Sequence, residues 1–208
     1  MHDLKSPLLN INAAIRRLDK GTVSSEQAVA AVSEAIGKME QIMNVALDFS
    51  KPLQLNRKEQ EATVLIRELL QTSTTRAEQE GVELTTNVTE QSLMIMVDPL
   101  YLERALVNLV NNAIEASPKG QSVSIVLRKR NDMAIIKIRD HGKGMDEETL
   151  RNLFIPFYSK KGSGTGLGMA VAKKIVEEHE GRITVKSRPA AGTKIAVYLP
   201  LIRPTGRR

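Results

Sequence analysis

Cysteine and tryptophan are absent from this chain, and aromatic residues make up only 3% of it. Without cysteine there is no disulfide framework, no thiolate metal site and no cysteine nucleophile, a composition that fits a reducing compartment. Long apolar runs are also missing. No stretch reaches the roughly 18 to 20 residues of a crossing helix, and Met1, His2, Asp3, Leu4 and Lys5 do not open a signal peptide. The scarcity of aromatics leaves few platforms for stacked bases, and the basic residues are spread along the chain, apart from Arg203, Arg207 and Arg208 near its end. Nucleic acid is therefore not an expected partner. What is present is ordinary for a folded protein: 208 residues, 41% hydrophobic and 26% charged, with 30 basic and 24 acidic residues giving a net charge of +6. That length predicts one large domain or two small ones.

Apolar residues Leu4, Leu8, Ile11, Ile15 and Leu18 recur in steps of three and four, and the pattern resumes as Val29, Val32, Ile36, Met39, Met43 and Ala46. Both stretches read as heptad seams on helices, with Gly21 ending the first and the Ser24, Ser25 pair capping the second. Two helices alone leave such seams wet. A homodimer closing them into a four-helix bundle is the expectation, the alternative being a hairpin packed on its own second domain. Lys51 and Pro52 then break the periodicity, which places a domain boundary between 1–51 and 52–208.

Beyond it the pattern predicts a helix near Ala62–Gln79, strands near Val82–Val88 and Leu93–Val97, and a helix over Pro99–Ala116. Strands Ser122–Arg130 and Met133–Arg139 follow, joined at Asn131 and Asp132. A helix over Gly168–Glu180 and strands near Arg182–Ser187 and Lys194–Leu199, joined around Ala191 and Gly192, complete the order. This is an α+β arrangement, a sandwich with helices on one face of a mixed sheet.

Four features within this frame carry chemistry. Asn108 and Asn112 lie four apart on an otherwise apolar helix. Asparagine is a poor helix former whose amide needs partners when buried, so the pair reads either as Mg²⁺ and phosphate ligands or as a polar stripe. Asp140, His141, Gly142, Lys143 and Gly144 follow a strand. The aspartate can accept a hydrogen bond from an exocyclic amine, though a plain glycine turn has the same letters. Gly162 through Gly168 run into a helix whose free amides suit a polyphosphate, without the spacing of a P-loop or a dinucleotide fold. The roughly 20-residue connection between these two glycine elements, with Phe154, Phe157 and Tyr158, is long enough to be a lid or disordered. Finally, His2 flanks the first seam on its solvent side, where its imidazole can act as a nucleophile with Asp3 taking the proton. His141 and His179 have no spaced partner and read as structural or solvent-facing.

Together these residues resemble the core of bacterial sensor histidine kinases, a histidine-bearing dimerisation hairpin followed by a Bergerat-type (GHKL) ATP-binding domain. The resemblance covers nearly the whole chain. His2–Leu8 is similar to the H box, Asn108–Ala113 to the N box, Asp140–Gly144 to the first glycine box, Phe154–Tyr158 to the F box and Gly164–Gly168 to the second glycine box. The phrasing around Asn112–Ala116 and Pro156–Lys161 is similar to the nitrogen-regulatory subgroup.

The resemblance implies ATP and Mg²⁺ as cofactors, with His2 the phosphoacceptor and Asp3 its general base. Asn112 becomes the metal ligand with Asn108 beside it, and Asp140 the adenine reader. Gly142, Gly144, Gly164, Gly166 and Gly168 shape the nucleotide loops, completed by Thr165 and Leu167, and Lys161 is a lid lysine. It also implies transfer of phosphate to an aspartate of a response-regulator receiver domain, and a cytoplasmic location, with any membrane attachment made through a sensor region before His2. The chain departs from the family at Glu115, where many members carry a basic residue, which shifts that phosphate contact to Lys161 or Lys160. Ser6 stands where threonine or asparagine often orients water in dephosphorylating the partner. Two other classes compete: a gyrase-type ATP clamp, which normally has a glutamate where this chain has Asn108, and a non-catalytic scaffold.

Overall fold

The computed structural model describes residues 5–50, 53–160 and 166–202, and they fall into two compact units. One comprises residues 1–52 with 155–167, and the other residues 53–154 with 168–208. In the first, helices α1 (Lys5–Asp19) and α2 (Ser25–Ser50) pack against each other as a hairpin. Gly21 ends α1 in the left-handed region at φ 67°, its N–H donating to Leu18 O at 2.9 Å. Ser24 and Gln27 then form a reciprocal capping box, Ser24 N donating to Gln27 Oε1 at 3.1 Å and Gln27 N to Ser24 Oγ at 3.2 Å. The second half of that box is absent from the sequence reading.

Small residues line the hairpin's own interface. Ala14, Ala28 and Ala35 are buried, whereas Leu8, Ile15, Leu18, Val29 and Ile36 of the two seams are between 38% and 63% exposed in the single chain. These five seam residues therefore lie largely outside the packing of α1 on α2, while Ile11, Val32 and Met39 are half-buried.

In the second unit, β1 (Lys58–Glu61) pairs antiparallel with β3 (Met94–Val97) as a two-stranded sheet, and α3 (Ala62–Glu80) follows β1. The main sheet runs β2-β4-β5-β7-β6, from β2 (Glu83–Val88), β4 (Ser122–Arg130), β5 (Met133–Arg139), β6 (Arg182–Ser187) and β7 (Thr193–Pro200). Only β2 and β4 are parallel, which makes the sheet mixed. Helices α4 (Pro99–Ala116) and α6 (Gly168–Glu178) complete the layer with α3, and a short α5 (Glu147–Asn152) lies between β5 and α6 in sequence.

Period-two alternation puts Val123, Ile125, Leu127, Ile136, Ile138, Ile195, Val197 and Leu199 on the helix-covered face. Leu65 and Leu69 of α3, Leu102, Leu106 and Leu109 of α4, and Ile175 of α6 meet them, each 1% exposed or less. Truncating any one of these to alanine costs about 2 to 5 kcal/mol. The expected α+β class and mixed sheet are observed, with differences at three places. β1 has the charged sequence Lys58-Glu59-Gln60-Glu61 and no apolar alternation, so only its pairing with β3 makes it a strand. α5 occupies part of the stretch expected to be lid or disorder, and Asp146 caps it by accepting from Thr149 N at 2.7 Å. α6 stops at Glu178 because Glu180 turns left-handed at φ 59°. Among the described residues, no helix is long and apolar enough to cross a membrane.

Candidate functional site

Helix α4 starts where the sequence dictates. Asp98 caps it by accepting from Leu100 N and Tyr101 N, with Pro99 supplying the preset φ of the first turn. One face of the helix is the apolar core, which leaves Asn108 and Asn112 half-buried on another. Gly168, the first residue of α6, lies against this face. A Cβ built on it would sit 3.7 Å from Asn108 Cγ, an ordinary contact. The N-terminus of α6, where first-turn N–H groups lack intrahelical acceptors and the helix dipole is positive, is thus brought beside the Asn108 amide.

Asp140 directly follows β5 and is only 4% exposed. Its Oδ1 accepts from Gly142 N at 2.9 Å and Thr193 N at 3.1 Å, while Oδ2 accepts no hydrogen bond from the described residues. Burial raises the carboxyl above its ordinary pKa of 3.8, and the two amide bonds together with the charge of His141 pull it back. One oxygen is fixed by the backbone and the other left for an incoming donor. A buried carboxylate held this way is costly to the fold and suited to reading an N–H group.

The glycines beside it are required by protein backbone as well as by any ligand. A Cβ on Gly142 would lie 2.1 Å from Ala116 O at the end of α4, and one on Gly144, at φ 64°, 1.9 Å from Arg188 O. The loop after β5 is thereby threaded between α4 and the β6–β7 turn. Gly192, at φ 72°, closes the third side, since its Cβ would meet Asp140 O at 2.2 Å. Ser187 Oγ donates to Gly192 O and accepts from Met145 N, both at 2.9 Å. With its single proton so used, the 2.9 Å contact with Thr193 Oγ1 has the threonine as donor.

Sequence reasoning did not single out Thr193, Ser187 or Ala116. The only signal for Thr193 was its place after the Ala191-Gly192 turn, 53 residues beyond the carboxylate it holds. Glu115, on the last turn of α4, pairs with Arg76 of α3 at 2.6 Å, so a cation stands there, contributed by another helix. Of the remaining expected site residues, Leu167 is fully buried and Gly166 is left-handed at φ 63°, within the unit that contains the hairpin. A Cβ on Gly166 would lie 2.6 Å from Phe157 C. Ser6 lies on α1. His2, Asp3, Lys161, Gly164 and Thr165 fall outside the described residues. His141 is exposed with its ring 3.2 Å from Ser122 O, and His179 is buried and hydrogen-bonded, which match the solvent-facing and structural alternatives expected of them.

Among relatives, sporulation kinase E of Bacillus subtilis (strain 168) is 30% identical over 203 residues, which is 96% of this chain and 27% of that protein. The chain spans about a quarter to a half of the length of the curated relatives it matches. The solved catalytic domain of histidine kinase ThkA superposes with a TM-score of 0.64 at 26% identity, covering 70% of this chain and 95% of that one. The structure of ThkA in complex with response regulator protein TrrA gives a TM-score of 0.79 at 23% identity over 99% of this chain and 60% of that one, a likeness of fold. Residues 97–203, which run from the cap of α4 through Asp140 and Thr193 to the end of β7, match the histidine kinase-, DNA gyrase B- and HSP90-like ATPases, and this chain belongs to that family.

Proposed function

We propose that this chain is the core of a sensor histidine kinase: an ATP- and Mg²⁺-dependent protein-histidine kinase that phosphorylates its own His2 and passes the phosphoryl group to an aspartate on a response-regulator receiver domain. The observation that carries it is the buried Asp140, with Oδ1 fixed by two backbone amides and Oδ2 open to the exocyclic amine of adenine, in the same unit as the Asn108 and Asn112 helix and the N-terminus of α6. Gly142 and Gly144 hold the loop that carries this reader, and the resemblance would assign Lys161, Gly164, Thr165, Gly166 and Leu167 to phosphate binding.

The metal fits the donor set. Among the described residues no cluster of three His, Cys, Asp or Glu could cage a cation, so a hard ion would be held by the Asn112 amide oxygen, water and the phosphates themselves. Bound there, Mg²⁺ supplies neutralisation of charge on the transferring group. The chain's own groups do the rest. Asn108 and the amides at Gly168 orient the polyphosphate, Asp140 fixes the base, and Asp3 takes the imidazole proton as the phosphorus–nitrogen bond forms and the bond to the β-phosphate oxygen breaks. By the resemblance, Ser6 would be the residue that orients water when the partner is dephosphorylated.

Residues 1–51 serve as the dimerisation and phosphoacceptor hairpin and residues 52–208 as the catalytic domain. The exposed seam residues Leu8, Ile15, Leu18, Val29 and Ile36 support a homodimer, because a second hairpin would bury them in a four-helix bundle. The receiver-domain partner draws support from ThkA, which has been solved with a response regulator. The location is cytoplasmic, with attachment to a membrane only through a sensor region. Incubation with Mg²⁺ and ATP labelled in its γ-phosphoryl group tests the reading: label is expected on the wild-type chain and not on Asp140→Ala. A wild-type chain that binds ATP and stays unlabelled refutes the transferase.

A further inference from the structure

Basic residues are scattered along the sequence, and the register of the main sheet gathers several of them. β4, β5, β6 and β7 carry no acidic residue, and β2 carries only Glu83 at its start. Helices α3, α4 and α6 cover one face of this sheet. On the other face Arg139 stands opposite Lys194 and Lys194 opposite Lys186, three cations side by side on adjacent strands about 4.8 Å apart. Lys137, two residues before Arg139, continues the cationic surface along β5. All four are exposed, and none has an ion pair or a side-chain hydrogen bond among the described residues.

Like charges directly opposite each other weaken a sheet, so this row works against the fold that contains it. Charged side chains on an edge strand guard it against pairing with another chain, which accounts for Lys186 on β6. It does not account for Lys194, Arg139 and Lys137, which lie one and two strands further in. The face also lacks what two kinds of partner need. None of the exposed large apolar residues lies on a strand of the main sheet, so the face offers no apolar anchor for a protein interface. Tyr198, its one aromatic residue, is covered by the Arg182 guanidinium 3.7 Å from the ring centroid, which leaves no free platform for a nucleic-acid base. What remains is an array of cations on an open sheet, the sign and shape that complement a plane of anionic headgroups.

We propose that this face of the main sheet, through Lys137, Arg139, Lys186 and Lys194, docks on the anionic surface of a lipid bilayer. The contact is electrostatic and reversible, separate from any anchor that a sensor region provides, and it uses none of the residues assigned to the nucleotide. Each cation held near such a surface strengthens binding about fivefold, so the four together contribute on the order of several hundredfold. Added salt shortens the reach of these charges and releases the protein.

The test is co-sedimentation of the 208-residue chain with vesicles of phosphatidylglycerol mixed with phosphatidylcholine, and with vesicles of phosphatidylcholine alone. Two variants of equal net charge are compared. One carries Arg139→Gln, Lys186→Gln and Lys194→Gln on the face, and the other Lys58→Gln, Arg67→Gln and Lys119→Gln, which are exposed and lie on no strand of the main sheet. The wild type is expected to bind the anionic vesicles alone, the face variant to bind them on the order of a hundredfold more weakly, and the control to lose far less. The face variant should melt no lower than the wild type, because it loses like-charged neighbours. Raising salt to about 0.5 M should release the wild type, a readout that needs no variant. Absence of wild-type binding at low salt, equal binding to both kinds of vesicle, or binding that survives the added salt overturns the proposal. Equal weakening of the two variants also overturns it, because net charge alone then explains the binding. Should duplex DNA bind the wild type more tightly than the vesicles do and lose that binding in the face variant, the partner is nucleic acid and the lipid assignment falls.

Discussion

Gly142→Ala is expected to be among the most damaging single-methyl changes in the second unit. Its Cβ would be placed 2.1 Å from Ala116 O and 2.6 Å from Ala116 C. Carbon-to-carbonyl-oxygen contacts normally begin near 3.3 Å, so about 1 Å of movement is needed. The obstructing atom cannot swing aside, because it is backbone at the end of α4 and also receives Lys143 N at 3.4 Å. The loop must shift instead, loosening Gly142 N from Asp140 Oδ1. Overpacking of this kind costs about 3 kcal/mol, and at roughly 2 to 4 °C per kcal/mol for a chain of this size the melting temperature should fall by about 6 to 12 °C. Two controls isolate the cause. Gly120→Ala, at φ 81° with nothing within 4 Å, should cost about 1 to 2 kcal/mol through backbone conformation alone. Gly37→Ala, in open space on α2, should stabilise its helix by about 0.5 to 1 kcal/mol. Differential scanning calorimetry of the three variants decides, and a Gly142→Ala loss no larger than that of Gly120→Ala refutes the steric reasoning.

Asp140→Asn keeps the acceptor for Gly142 N and Thr193 N but removes a desolvated charge. With the carboxyl raised above 3.8, the folded state holds the extra proton in that window, so stability falls as pH rises through it and the ionised group is a burden at neutral pH. The variant should be no less stable by urea denaturation at neutral pH, yet bind ATP at least tenfold more weakly by calorimetry. His179 shifts the opposite way, below 6.5, through burial, with Arg57 adding to the shift while the Ile175 carbonyl, Asp98 and Glu178 oppose it. The unfolded chain then binds the extra proton, so stability is full above 6.5 and falls as pH drops toward the folded value, and His179→Gln should flatten that slope in denaturation curves taken on either side of 6.5. Asn112→Ala should erase the gain in ATP affinity that Mg²⁺ brings, so that titrations with and without the metal coincide.

Local chemistry made most of the second unit legible. The proline that opens α4 and the hairpin turn at Asn131 are signals contained within a few residues, and those elements lie where they were expected. β1 was not legible because its four charged and polar residues become a strand only by pairing with β3, more than thirty residues away. The same limit applies to the site. Asp140 and the glycines stand out as a motif, but what fixes the carboxylate is Thr193, and what forbids side chains at Gly142 and Gly144 is the backbone of Ala116 and Arg188. Heptad spacing marked the apolar seams of the hairpin, while the alanines that let α1 approach α2 fall between those positions. The His179–Asp98 bond joins residues 81 apart and has no counterpart in either local sequence.

The most direct test of His2 as phosphoacceptor compares wild type with His2→Gln after reaction with Mg²⁺ and γ-labelled ATP, following the survival of protein-bound label in acid and in base. Label on the wild-type chain that survives base, is lost in acid and is absent from His2→Gln is the expected result. Label that persists in His2→Gln, or that survives acid, contradicts transfer to this imidazole.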